Sequence, residues 1–98
     1  MIYYAKCVSW QIFRDSVFVI NESNKKMYTL KDVNKWFWLA LVGEHKIENI
    51  ASELYSMVKD VDFQTIYTDL LGLALNLKEE GLVVFVEKDE EDAHGKDA

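Results

Sequence analysis

The chain contains no proline, one cysteine, two histidines and four glycines in 98 residues. Each scarcity excludes something. Without proline there is no obvious linker, and a chain of this length forms one domain rather than several. Cys7 alone cannot make an internal disulfide, which agrees with a reducing compartment. Cys7, His45 and His94 lie far apart without the paired spacing of a metal site, and His94 sits in the tail, so no metal is expected. Cys7 has no evident activating partner either and reads as a buried or half-buried structural thiol. No apolar run approaches the ~18 residues needed to span a bilayer. The start, MIYYAKCVSWQIFRD, lacks the basic, apolar and small-residue segments of a signal peptide. A cytoplasmic location is therefore expected.

Half of the residues are apolar and thirteen are aromatic, enough for a core. The formal charge of -6 is uneven: residues 87–98 carry six acids against two lysines, a net of -4, leaving -2 for residues 1–86. The domain is accordingly placed at residues 1–88, and residues 89–98 read as a disordered acidic tail that is solvated, with a docking role as the alternative.

The first thirty residues read as strands. In VSWQIF, Val8, Trp10 and Ile12 alternate with polar neighbours, the two-residue period of a half-buried strand. VFVIN, residues 17–21, is apolar on both faces, as a central strand covered on two sides would be. Glu22 to Lys26 form a polar turn in which Asn24 tolerates left-handed geometry, and Met27 to Leu30 follow as a short strand. Two tight connections imply an antiparallel meander. Beyond Leu30 the period becomes helical. Residues 31–42 carry Val33, Phe37 and Leu41 at four-residue steps, with Gly43 expected to end the helix in a left-handed conformation. A clearly amphipathic helix covers 47–58, and a third covers 63–80 with Asp62 as N-cap and Gly81 as stop. Residues 82–87 are a possible last strand. The expected class is α+β, winged helix-turn-helix-like: a three-stranded antiparallel sheet packed on three helices.

The third helix has more apolar surface than a core contact needs. With Ile66 at zero, Leu77 falls at about 20°, Leu70 at about 40° and Leu73 at about 340°, a sufficient stripe. A second set extends round one side: Ala74 at about 80°, Tyr67 at about 100°, Lys78 at about 120°, Leu71 at about 140° and Leu75 at about 180°. Either two neighbouring elements each cover one flank, or the flank lines an open groove for an extended apolar ligand. The short strand at Lys26 to Leu30 offers an edge to which another chain can add. KWFW, residues 35–38, is similarly rich: Phe37 and Trp38 fit a core, while Trp36 and Leu39 point elsewhere, either under the first strand or toward an enzyme partner or second copy.

Several spacings together resemble one family. Leu30 is followed by Phe37, Trp38, Leu41 and Gly43; GEHKIENIASEL spans residues 43–54; Asp69, Leu70, Leu73 and Leu77 lead to Gly81-Leu82-Val83. Over about residues 17–86 the chain is similar to PqqD-like proteins, the peptide-recognition elements of ribosomal peptide natural-product pathways. The resemblance implies a non-catalytic domain without cofactor. It would bind the leader segment of a precursor peptide as a strand added to the sheet and present the core segment to a modifying enzyme, most often a radical S-adenosylmethionine (radical SAM) maturase, sometimes a cyclase or leader peptidase. Carried over, the leader would meet Lys26, Met27, Tyr28, Thr29 and Leu30 on the strand and Tyr67, Leu71, Ala74, Leu75 and Lys78 on the helix, the surface that the angular count also isolates. Two residues depart from the pattern: Lys31 replaces the usual Asn, and Lys46 a Ser or Thr cap. Lys26, Lys31 and Lys78 either suit an acidic leader or are ordinary surface lysines.

Other functions fit less well. Catalysis lacks parts: His45 has no assigned base or nucleophile beside it, and Asp60 and Asp62 read as turn and cap. A winged-helix DNA reader needs a basic face that the second and third helices do not supply. A structural subunit whose groove is filled by its own tail or a fused partner, and a homodimer formed through the exposed edge, are the remaining alternatives.

Overall fold

The computed structural model describes residues 1–87; the acidic tail expected over 89–98 lies outside them. Five strands and three helices follow in the order β1 (Ile2–Tyr4), β2 (Val8–Phe13), β3 (Ser16–Asn21), β4 (Lys26–Leu30), α1 (Asp32–Ala40), α2 (Ile47–Met57), α3 (Phe63–Glu79) and β5 (Val83–Phe85). The expected meander is present: β2, β3 and β4 form an antiparallel sheet in that order, with Trp10 opposite Val19 and Val19 opposite Tyr28.

The last strand exists because of a partner that local pattern does not reveal. β1 pairs antiparallel with β5, Ile2 opposite Phe85, in a separate two-stranded ribbon. At three residues each, neither strand could persist alone. The ribbon is tied in by Ile2 N–H donating to His45 O at 2.8 Å and by Ala5 N–H donating to Leu82 O at 3.0 Å.

One core joins the layers. Val17 and Val19 of β3, Phe37, Trp38 and Leu41 around α1, Ile50 and Ala51 of α2, and Ile66, Leu70, Ala74 and Leu77 of α3 are all buried. The strand-facing tryptophan is Trp38: its ring stands edge-on to Trp10 with centroids 6.1 Å apart, and Tyr4 packs on it at 4.6 Å. Tyr4 donates its hydroxyl to Trp38 O, and burial pushes its pKa up to about 12. Trp36 and Leu39 are half-buried and pack against this core. They line a concavity of about 500 Å³ with Lys35, Gly43, Glu44 and Glu53, on the helical side. Nor is β3 covered on both faces. Val17 and Val19 face the core, whereas Phe18 and Ile20 are half-buried and line a concavity of about 440 Å³ on the outer face with Ser9, Gln11 and Met27.

The helix ends show which local signals succeed. Asp62 caps α3, its Oδ1 accepting from Thr65 N–H at 2.8 Å, and that bond lowers the Asp62 pKa. Lys31 and Lys46 make no side-chain cap, in keeping with their departure from the usual residues. At α2 the work passes to Glu44, whose Oε2 accepts from Lys46 N–H at 2.9 Å and from His45 N–H at 3.1 Å. Gly43 is not left-handed, contrary to expectation: α1 ends at Ala40 and the chain turns through Leu41 in an ordinary right-handed conformation. In the β3–β4 turn the left-handed residue is Lys25 rather than Asn24, which instead accepts from Lys26 N–H at 2.9 Å through Oδ1.

Gly81 does need its positive φ of 79°. Gly81 N–H donates to Lys78 O and Leu82 N–H to Leu77 O, both at 2.9 Å, closing α3 with a Schellman motif. A Cβ at Gly81 would stand 3.0 Å from Asn21 Nδ2, which is held by Glu80 O at 3.1 Å. Gly81→Ala is therefore expected to destabilise the domain by about 1–2 kcal/mol in urea unfolding. Gly43→Ala, with open space at its Cβ and no positive φ, serves as the neutral control.

Candidate functional site

The site is assembled from one sheet edge and one helix flank. β4 pairs with β3 on one side, and among the described residues no strand pairs with its other side. In an antiparallel edge strand alternate residues turn their N–H and C=O outward, so this side is a row of free hydrogen-bonding groups. Side chains alternate with it: Tyr28 and Leu30 turn toward the core, Leu30 being buried, while Met27 is 66% exposed and Thr29 lies open on the outer face.

The helix supplies an apolar wall. Tyr67 and Leu71 are half-buried, Leu75 is 46% exposed, and Lys78 reaches over the Phe85 ring with Nζ 5.8 Å from its centroid. One residue placed on this wall by angular counting is not on it. Ala74 is 0% exposed and belongs to the core, whereas Leu73, counted in the core stripe, is only half-buried. The buried arc of α3 is thus centred nearer 40° than zero by the ideal helical count. Tyr67, Leu71, Leu75 and Lys78 stand on its accessible margin.

Strand and helix are joined at one end. Tyr28 donates its hydroxyl to Glu80 Oε1 at 2.7 Å, and Asn21 Nδ2 donates to Glu80 O at 3.1 Å. The bond to Glu80, followed by desolvation and the carboxylate's charge, raises the Tyr28 pKa. Away from this clasp the principal neighbours of β4 are β3 and α1, and those of α3 are α2 and β5. The open side of β4 and the accessible margin of α3 are thus two separate surfaces: on the same helical count Glu80, which meets Tyr28, falls at about 320°, whereas Lys78 at about 120° lies over Phe85 of β5. Lys26 and Lys31 stand exposed at the two ends of β4 and Lys78 on the helix side, against Glu79 and Glu80.

The residues weighed for chemistry occupy structural positions. Cys7 is half-buried, its Sγ donating to Asn21 Oδ1 at 3.5 Å and to Gly81 O at 3.8 Å. His45 stacks on Tyr3 with centroids 4.1 Å apart and holds Ile2 O at 3.0 Å through Nδ1. Among the described residues no group of three or more His, Cys, Asp or Glu is placed to hold a metal, and no helix is long and apolar enough to cross a membrane.

Sequence reasoning missed one apolar feature at the N-terminal end of α3. Tyr55 at the end of α2 meets Phe63 edge-on at 5.9 Å, and Phe63 stacks on Tyr67 at 6.2 Å. The signal is the four-residue step from Phe63 to Tyr67 to Leu71.

The family model for Coenzyme PQQ synthesis protein D (PqqD) matches residues 16–83. Among solved structures, one described as "TbiB1 in Complex with the TbiA(beta) Leader Peptide" superposes with a TM-score of 0.79 at 19% identity, covering 88% of this chain and 99% of that one. Another, "Lasso peptide synthetase B1 complexed with the leader peptide", gives 0.77 at 18% identity, covering 86% and 98%. Both share the architecture of three helices and a three-stranded antiparallel sheet. No curated protein matches.

Proposed function

We propose, from the premise that this chain belongs to the PqqD family, that it is a non-catalytic recognition domain for the leader segment of a ribosomally made precursor peptide. The leader adds as a strand to the outer edge of β4 along Lys26 to Leu30, and its apolar side chains lie against Tyr67, Leu71 and Leu75 with Lys78 at the margin. Ala74 supports that wall from within. The domain then presents the rest of the precursor to a modifying enzyme: a radical SAM maturase by preference, a cyclase or leader peptidase otherwise. The observation that carries this reading is the unpaired side of β4, tied to the C-terminal end of α3 by the Tyr28–Glu80 bond.

Magnitudes show why both walls are needed. Pairing along a five-residue strand adds a handful of hydrogen bonds at about 1 kcal/mol net each. Association and ordering cost at least as much, so ladder bonds alone give no useful affinity. Each 100 Å² of apolar leader surface laid on the helix flank adds about 2.5 kcal/mol. With the ladder offset in this way, about 320 Å² of apolar burial supplies the ~8 kcal/mol of micromolar binding. The test is amide hydrogen exchange on the full chain with and without the leader peptide encoded beside this protein. Outward-facing amides of β4 are expected to slow markedly on binding. Binding that leaves β4 exchange unchanged would mean that the peptide sits elsewhere.

A further inference from the structure

A peptide strand added to β4 cannot meet the helix side alone. Successive residues of any strand point to opposite faces of its sheet, whichever way the strand runs, so every second side chain of the peptide emerges on the outer face. There the sheet is laid out in rows. Ser9, Ile20 and Met27 stand opposite one another across β2, β3 and β4, and Gln11, Phe18 and Thr29 form the next row. Each row ends at the unpaired edge, and an added strand extends it by one place.

The residues that end these rows are unusual for an edge that meets only water. Met27 is 66% exposed, Thr29 is exposed beside it, and neither carries charge. Charged side chains, lysine above all, are a common protection of an open edge, yet Lys26 and Lys31 flank this outward pair instead of occupying it. Behind Met27 the row is apolar: Ile20 is half-buried, and of the residues lining the outer concavity only Met27 belongs to the edge strand.

We propose that Met27 is a specificity-determining residue for the peptide, selecting an apolar side chain at the one position of the added strand that stands next to it on the outer face. This rests on the leader-binding reading. The peptide is the occupant because pairing at β4 fixes where its outward side chains go: the neighbour of Met27 in the next strand lies about 5 Å away, within contact range. A thioether on a flexible stem packs against branched and aromatic groups alike, so the position is read for apolarity rather than for one shape. Two residues along, beside Thr29, a hydroxyl side chain is the favoured neighbour. The peptide is thus recognised on both phases of its alternation, its inner set lying on the side shared by Tyr28 and Leu30.

The experiment is a selection on the full chain from a displayed library of random peptides, repeated on Met27→Glu and Met27→Lys, with far-UV circular dichroism confirming each fold. Peptides enriched on the unaltered chain are expected to carry an alternating apolar segment with one additional apolar residue on its opposite phase. At that outward position the preference is expected to change to Lys or Arg on Met27→Glu and to Asp or Glu on Met27→Lys, by about fivefold each, while the inward alternation persists. Phe13→Glu puts the same charge on the same face two strands away and is expected to leave the preference as it was. An outward position indifferent to residue 27, or one that changes equally on Phe13→Glu, overturns the role of Met27, while enriched peptides that slow β4 amide exchange keep the leader-binding reading. If no alternating peptide is enriched, or if enriched peptides leave β4 exchange unchanged, the leader-binding reading fails and this proposal with it. Self-association that Met27→Lys abolishes in light scattering assigns the row ends to a second copy and overturns the proposal.

Discussion

Leu71→Asp is expected to weaken leader binding by about 100-fold or more while the domain stays folded. Leu71 sits midway along the accessible margin of α3, half-buried, between Tyr67 and Leu75. Replacing it removes apolar contact worth about 1–2 kcal/mol and puts a carboxylate where the peptide would strip it of water, adding at least as much again. Stability should change little, because the side chain is at the edge of the core and aspartate costs a helix interior only about 0.5 kcal/mol. Asn76→Asp, on the exposed opposite side of the same helix, controls for charge alone and should bind normally. Anisotropy of a labelled leader peptide, read beside far-UV circular dichroism of each variant, decides the matter. Equal affinity for Leu71→Asp and the unaltered chain would remove α3 from the site.

The largest stability effect is expected at Phe37→Ala, a loss of about 3–5 kcal/mol. Phe37 is fully buried in the layer where α1 meets β3 and β4. Truncation leaves a cavity that the surrounding Trp38, Leu41 and Val17 can fill only in part, since they are themselves fully or almost fully enclosed. For a domain of this size the change corresponds to a fall in Tm of about 15–30 °C, which differential scanning fluorimetry reads directly. Trp36→Ala gives the contrast. That ring lines an open concavity, so its removal should cost far less than the core phenylalanine. Similar losses at the two positions would mean that Trp36 is part of the core.

These two residues also show where a sequence is legible. The meander was readable because alternation in Val8 to Phe13 and the apolar run after Ser16 are local properties, and the helices because Val33, Phe37 and Leu41 recur at helical steps. The half-circle of apolar residues on α3 exposed the existence of a spare flank, since a single core contact does not need it. Its boundary was not readable to within one residue: Ala74 and Leu73 exchanged roles because the core-facing direction of α3 depends on where α2 and β5 pack. β1 was invisible for a stronger reason. Ile2 to Tyr4 have no distinguishing alternation, and they become a strand only because residues 83–85 arrive to pair with them. The Tyr55–Phe63 contact was hidden in the same way, being made between two helices rather than within one.

The ribbon of β1 and β5 has a further consequence for how the domain is used. The Met1 amino group donates to Val86 O at 3.0 Å, and Val86 N–H donates to Met1 O at 2.8 Å. Met1 and Val86, near the two limits of the described residues, therefore sit on neighbouring rungs of one ladder. A unit built this way can be spliced into a surface loop of a larger polypeptide with a gap of about 5 Å to bridge, the spacing of adjacent strands. Such grafting puts its strain on the ribbon, while the unpaired margin of the other sheet travels with the insert unaltered.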